Sequence, residues 1–253
     1  MRLEGVSAIV TGGASGLGAG TVRALSAEGV RCFVFDRNEA GAKEIAASVG
    51  GVAVAGDVTD PDDCQRVVDE AASTGALRIA VNCAGLGWIG RVVNRDGTPH
   101  DLKAFQTILG VNTVGTFNVM TRAAAAISSV DLRDDGERGV IVNTASVAAF
   151  EGQIGQFAYS ASKGAIVGMT LPAARDLAVV GIRVVTIAPG LFDTPLLGML
   201  PETQRDALGR SVLFPKKLGD PAQYGQLVVQ IAQNSYLNGE VIRLDGGIRM
   251  PPK

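Results

Sequence analysis

The chain has 253 residues, 47% apolar and 19% charged, with a formal net charge of −2. That size and apolar fraction support a sizeable core and exclude a disordered chain. So small a net charge gives no electrostatic reason to expect nucleic acid or a membrane surface as partner. Three widely spaced cysteines, Cys32, Cys64 and Cys83, fit neither a disulfide framework nor a zinc cluster, so no metal is expected and a reducing compartment suits them. The chain runs almost directly into a strand pattern, with no leader-like segment and no apolar run near the roughly 20 residues of a membrane span. A soluble, cytoplasmic protein is the expectation.

β-branched apolar runs predict strands at about Val6–Thr11, Arg31–Phe35, Val52–Ala55, Arg78–Asn82, Val140–Thr144, Arg183–Ala188 and Val241–Leu244. Helical patterns lie between them, at Gly18–Glu28, Glu39–Ser48, Asp62–Ser73 and Gln156–Leu177 among others. Near-continuous apolar strands alternating with helices imply an α/β fold: one doubly wound parallel sheet of about seven strands with helices on both faces. No linker or internal repeat divides the chain, so a single domain over 1–253 is expected.

The first strand ends in Thr11-Gly12-Gly13-Ala14-Ser15-Gly16-Leu17-Gly18, which opens a helix. Glycines there let backbone N–H groups approach a pyrophosphate at the helix N-terminus. The spacing of Gly12, Gly16 and Gly18 is one residue longer than the standard dinucleotide fingerprint, and no Gly-Lys-Ser/Thr follows to make a P-loop. Asp36 closes the second strand 18 residues past Gly18, where a carboxylate would suit the adenosine ribose hydroxyls. It would repel a 2′-phosphate, and the turn supplies no Arg or Lys to hold one, although Arg37 is adjacent. The expectation is NAD rather than NADP. Asp57 and Val58 follow the third strand and could meet the adenine. The alternative for Asp57 is a helix cap, for which Thr59 or Asp60 before Pro61 is already available.

Asn82, Cys83, Ala84 and Gly85 end the fourth strand with small residues against which a cofactor could lie. The polar stretch Leu86–Lys103 holds the only histidine, His100, which reads as solvated in so Pro/Asp/Gly-rich a loop. One histidine and no Gly-x-Ser-x-Gly leave little room for hydrolase chemistry. Asn112 is polar amid apolar neighbours on a helix, and a hydrogen-bonded structural amide is one reading of it. Asp131–Arg138 reads as a charged surface connection.

After the fifth strand come Ser146 and then Tyr159 and Lys163, four apart and therefore on one helix face. Lowering a phenol pKa from about 10 to about 7 requires roughly 4 kcal/mol. One ammonium about 5 Å away at an effective dielectric of about 20 supplies roughly 3 kcal/mol. Ser146 could then hold a substrate oxygen while Tyr159 moves its proton. The alternative is an ordinary helix with a snorkelling lysine. Pro189-Gly190 stops the sixth strand, Thr194 could bond a nicotinamide carboxamide, and Leu196–Leu218 suits a mobile flap over a substrate. Lys216 and Lys217 could meet the anionic phosphates of a carrier, or be a solvated pair.

Thr11-Gly12-x-x-x-Gly16-x-Gly18, Asp57, Asn82–Gly85, Asn112, Ser146, Tyr159-x-x-x-Lys163, Pro189-Gly190 and Asp245-Gly246-Gly247 together resemble the short-chain dehydrogenase/reductase family over nearly the whole length. Cys83 departs from the pattern, standing where the family usually has a second Asn. The resemblance implies a Rossmann-type fold with Tyr159 as general acid/base. It implies that Lys163 holds the ribose and lowers the phenol pKa, that Ser146 orients the substrate oxygen, and that Asn112 anchors a proton-relay water. It also implies that Ser15, Leu17, Asp36, Asp57, Val58, Cys83, Phe192 and Thr194 touch NAD. Stretches 143–152, 158–164, 187–197 and 237–246 look like those of members that oxidise the 3-hydroxyl of 3-hydroxyacyl-CoA, with hydroxysteroids or other secondary alcohols as alternative substrates. A homotetramer through long-helix faces and the last strand is expected. From another class, a nucleotide-binding scaffold would keep the glycine turn without needing the Ser-Tyr-Lys set.

Overall fold

The computed structural model describes residues 1–133, 135–198 and 200–252, with the Leu196 side chain also outside the description. Seven strands form one parallel sheet: β1 Ser7–Thr11, β2 Arg31–Asp36, β3 Val52–Ala55, β4 Leu77–Asn82, β5 Gly139–Thr144, β6 Ile182–Pro189 and β7 Val241–Leu244. Every predicted strand is present with its ends moved by at most one residue, because β-branched apolar runs buried on both faces mark strands clearly. The order β3-β2-β1-β4-β5-β6-β7 reverses direction between β1 and β4. It is the doubly wound, Rossmann-type order with a seventh strand added.

Helices α1 Gly16–Ala27, α2 Glu39–Val49 and α9 Pro221–Gln233 cover one face, packing on Ala8, Val10, Val34, Val81, Val142 and Val185. On the other face α3 Pro61–Ala72, α5 Gly115–Ser128 and α6 Phe157–Ala178 cover Ile9, Phe33, Phe35, Ala80, Ile141 and Val184. The alternation is the period-two side-chain direction of a strand. Helix starts follow local chemistry. Asp60 accepts from the N–H groups of Asp62 and Asp63 ahead of α3, and Asp220 forms a capping box with Gln223 ahead of α9, each followed by a proline at the first helical position.

α4 Leu102–Leu109 runs into α5 through a π-helical turn, Gly110–Val114. Short helices α7 Pro195–Gly198 and α8 Glu202–Ser211 occupy the expected flap, within which Met199 lies outside the described residues.

Two expectations fail. His100 is only partly solvated: its ring lies edge-on to Phe105 and Phe157, its Nδ1 is 3.0 Å from the Arg91 carbonyl, and its Nε2 is buried. The aromatic side chains of α4 and α6 supply a wall that loop composition does not reveal. The 131–138 connection, of which Asp134 is outside the described residues, is not wholly surface. Glu137 is buried and pairs with Arg183 on β6 at 2.7 Å, since an arginine in a strand covered on both faces needs a counter-charge.

Candidate active site

Where the strand order reverses, the C-terminal ends of β1 and β4 open onto a cleft of about 770 Å³. Doubly wound sheets place ligands at this crevice. Gly12, Ser15, Gly16, Leu17, Gly18, Asp36, Asp57, Val58, Cys83, Ala84, Gly85, Tyr159, Lys163, Pro189 and Thr194 all line it. Four expected residues stand back. Asn82 lies beneath, donating to Asn143 Oδ1 at 2.9 Å. Phe192 turns its ring into the core, edge-on to Tyr224 at 6.4 Å. Ser146 and Asn112 are buried behind the wall.

The glycine turn forms a cradle that side chains would fill. A Cβ on Gly12, whose φ is +65°, would lie 2.8 Å from the Ala84 nitrogen, and one on Gly18 would lie 2.1 Å from the Gly12 carbonyl oxygen. Ser15 caps α1 without a side-chain hydrogen bond, and the first turn carries no acid, so its N–H groups have no side-chain acceptor. An anion fits there. Asp36 stands at the far end, its Oδ2 accepting from the Ala14 N–H at 3.1 Å and its Oδ1 from the Asn38 N–H at 2.9 Å. Asp57 is not the helix cap: it accepts from the N–H and hydroxyl of Thr59 and pairs with Arg37 at 3.4 Å. These residues fit a dinucleotide, with phosphates at α1 and a ribose at Asp36.

At the other end, α6 presents Tyr159 and Lys163 side by side, the ammonium 5.9 Å from the phenol ring centroid. Ser146 lies at the first turn beyond β5, beside the Tyr159 hydroxyl, and accepts from the Ala148 N–H at 3.1 Å. Lys163 is buried and donates to the Thr144 carbonyl at 2.8 Å. Burial lowers its pKa to about 8, with Cys83 opposing the shift. The Tyr159 phenol is pushed up by burial, against the pull of the Ser146 hydroxyl. The expected lowering by Lys163 is therefore not what these residues produce by themselves, because enclosure outweighs a single ammonium that is itself poorly solvated.

Asn112 engages both ends of its amide: Oδ1 accepts from the Leu86 N–H at 2.7 Å, and Nδ2 donates to the Leu86 carbonyl and to Ser162 Oγ. This matches the structural-amide reading, and the Asn112 main-chain carbonyl accepts from the Thr116 hydroxyl at 2.7 Å. Lys216 and Lys217 do not line the cleft. They border a separate recess of about 670 Å³ shared with Arg205, Arg210, Asp193, Glu202, Asp206 and Asp220. Sequence reasoning passed over Thr144, Leu86 and Val111, which the cleft includes. Thr144 was the findable one, as the last residue of β5, two residues before Ser146.

Fold and site together define the class: the chain belongs to the short chain dehydrogenase family, whose model matches residues 7–205. It is an oxidoreductase of secondary alcohols working with a nicotinamide cofactor. It is 51% identical over 254 residues to 3-hydroxyacyl-CoA dehydrogenase type-2 of Homo sapiens, covering 99% of this chain and 97% of that one. With the Drosophila melanogaster protein of the same name it shares 48% over 254 residues, covering 99% and 100%. The crystal structure of 3-hydroxyacyl-CoA dehydrogenase type-2 from Mycobacterium avium superposes with a TM-score of 0.95 at 42% identity over 98% of each chain. A 3-ketoacyl-(acyl-carrier-protein) reductase from Brucella melitensis complexed with NADH superposes at 0.86 and 28% identity, over 97% of this chain and 98% of that one.

Proposed function

We propose that this chain, as one cofactor-binding domain, oxidises the 3-hydroxyl of a 3-hydroxyacyl-CoA with NAD. The observation that carries the substrate is identity near 50% over almost the full length to enzymes named for that reaction. Asp36 supports NAD over NADP, since a carboxylate lining that end of the cleft would repel a 2′-phosphate.

In this reading Gly12–Gly18 hold the pyrophosphate, Asp36 the adenosine ribose, Asp57 and Val58 the adenine, Lys163 the second ribose and Thr194 the carboxamide. NAD supplies the hydride acceptor and one positive charge. Ser146 hydrogen-bonds the substrate oxygen and fixes its distance to Tyr159, whose phenolate takes the hydroxyl proton. Lys163 favours the phenolate once that added charge offsets the cost of enclosure. Asn112 would anchor a water passing the proton outward.

The test is NADH absorbance with NAD or NADP and a panel of (S)-3-hydroxyacyl-CoA thioesters beside hydroxysteroids and small secondary alcohols. Turnover centred on the thioesters with NAD supports the proposal; turnover confined to the other alcohols, or a kcat/KM favouring NADP, overturns the corresponding half. A cytoplasmic homotetramer belongs to the same reading. Exposed Phe117, Phe157 and Leu171 along α5 and α6 favour assembly, and three free thiols suit that compartment. Sedimentation at a single 26.0 kDa mass would overturn the assembly.

A further inference from the structure

Tyr224 on α9 is among the largest fully buried side chains of the protein, and its hydroxyl is 2.7 Å from Thr144 Oγ1. The Thr144 hydroxyl has one proton, and at 2.5 Å its partner is the Asn82 carbonyl. Tyr224 is therefore the donor to Thr144. Burial raises the Tyr224 phenol well above its ordinary value, so it remains a protonated donor throughout the working pH range. The same threonine's carbonyl holds the Lys163 ammonium at 2.8 Å, and that is the ammonium's one protein hydrogen bond among the described residues. The Tyr224 ring also packs edge-on against Phe192, two residues before Thr194 on the cleft wall.

We propose that Tyr224 is a positioning residue for the dehydrogenase chemistry: through Thr144 it fixes the carbonyl that aims Lys163 at Tyr159 and the cofactor ribose. The inference rests on the role given to Lys163 above. It puts part of the catalytic geometry on a helix that contributes no side chain to the cleft. A phenylalanine in its place keeps the ring on Phe192 and leaves the Thr144–Asn82 bond standing, so the lysine's support is what changes.

The experiment compares wild type with Tyr224→Phe in two readouts. The first is the pH profile of kcat/KM for alcohol oxidation. Its acid limb is expected to move to higher pH, with about a fivefold loss at neutral pH that closes at high pH, the loss of one hydrogen bond of about 1 kcal/mol. The second is competitive acetylation of Lys163 by acetic anhydride in the cofactor-free chain, followed by mass spectrometry. The wild-type titration is expected near pH 8; in Tyr224→Phe the ammonium, less well held by the Thr144 carbonyl, is expected to titrate lower and so to label faster at neutral pH. With Thr144→Val already present, Tyr224→Phe should add nothing to either readout. A lower melting temperature with both profiles superimposed on wild type would make Tyr224 a structural residue and overturn the proposal. Should the chain oxidise no alcohol, the dehydrogenase reading falls, while the Lys163 titration still decides whether Tyr224 supports that lysine.

Discussion

Arg183 and Lys163 are both buried, at 6% and 4% exposure, yet their surroundings are opposite. Arg183 donates to Glu137 through Nε and to the carbonyls of Ile231, Leu237 and Ala232, and its Nη2 pairs with the same Glu137 carboxylate at 2.7 Å. Lys163 has one carbonyl and no carboxylate within ion-pair reach among the described residues. The first charge is neutralised where it sits and joins β6 to α9 and the 131–138 connection. The second is left short of partners, and the cost appears as a depressed pKa. A buried charge with its shell complete holds a fold together, whereas one with vacancies facing a cleft is poised for a ligand.

The widest way to part the two sites is to remove the reacting group. Tyr159→Phe should lower kcat by about two to four orders of magnitude, in the range of general acid–base catalysis, with the melting curve little changed. Survival of activity would revive the scaffold reading. At the structural site, Glu137→Gln leaves Arg183 charged and unpaired and should cost about 3–5 kcal/mol in denaturant unfolding, with kcat per folded molecule retained.

The pH dependence separates the lysine from the arginine. Lys163 titrates near 8 when folded and near 10.5 when unfolded. Between those values the unfolded chain binds more protons, so stability must rise with pH across that window. The deficit is full below pH 8, about 3 kcal/mol at 1.36 kcal/mol per unit. In the cofactor-free protein Lys163→Met should remove this rise relative to wild type, as read from urea unfolding between pH 7 and 10.5. An unchanged slope would show that the lysine is better solvated than its burial indicates. The smallest effect is expected at Asp36→Asn, which should move the NAD to NADP preference by about tenfold, 1.4 kcal/mol, by removing one repulsion at the ribose.

The cofactor half of the cleft was legible because it is made of backbone. Gly12 and Gly18 are glycines since a Cβ has nowhere to go, and such requirements leave a spacing that can be read in one dimension. Tyr159 and Lys163 were legible through helical periodicity. His100, Glu137 and Tyr224 were not. Each is defined by a partner far along the chain, such as Thr144, 80 residues from Tyr224, and pairing at that distance leaves no local pattern. Arg183 carried a partial signal: one cation inside an otherwise apolar strand demands a counter-ion without saying where it lies.

The π-helical turn at Gly110–Val114 has a mechanical consequence. A π turn accommodates one extra residue in a helix, and one residue is about 100° of rotation. Upstream of it Phe105 meets Phe157 of α6, and within it Asn112 clasps Leu86 and Ser162. Downstream, Gly115 lies against Val58, and Asn118 donates to the Val58 carbonyl at 3.0 Å. The turn thus acts as a gear with a fixed offset, letting one rod mesh with α6 through one half and with the turn at Val58 through the other. Deleting a single residue there would restore a regular helix and put the two halves out of phase, so that one set of teeth could engage only by releasing the other.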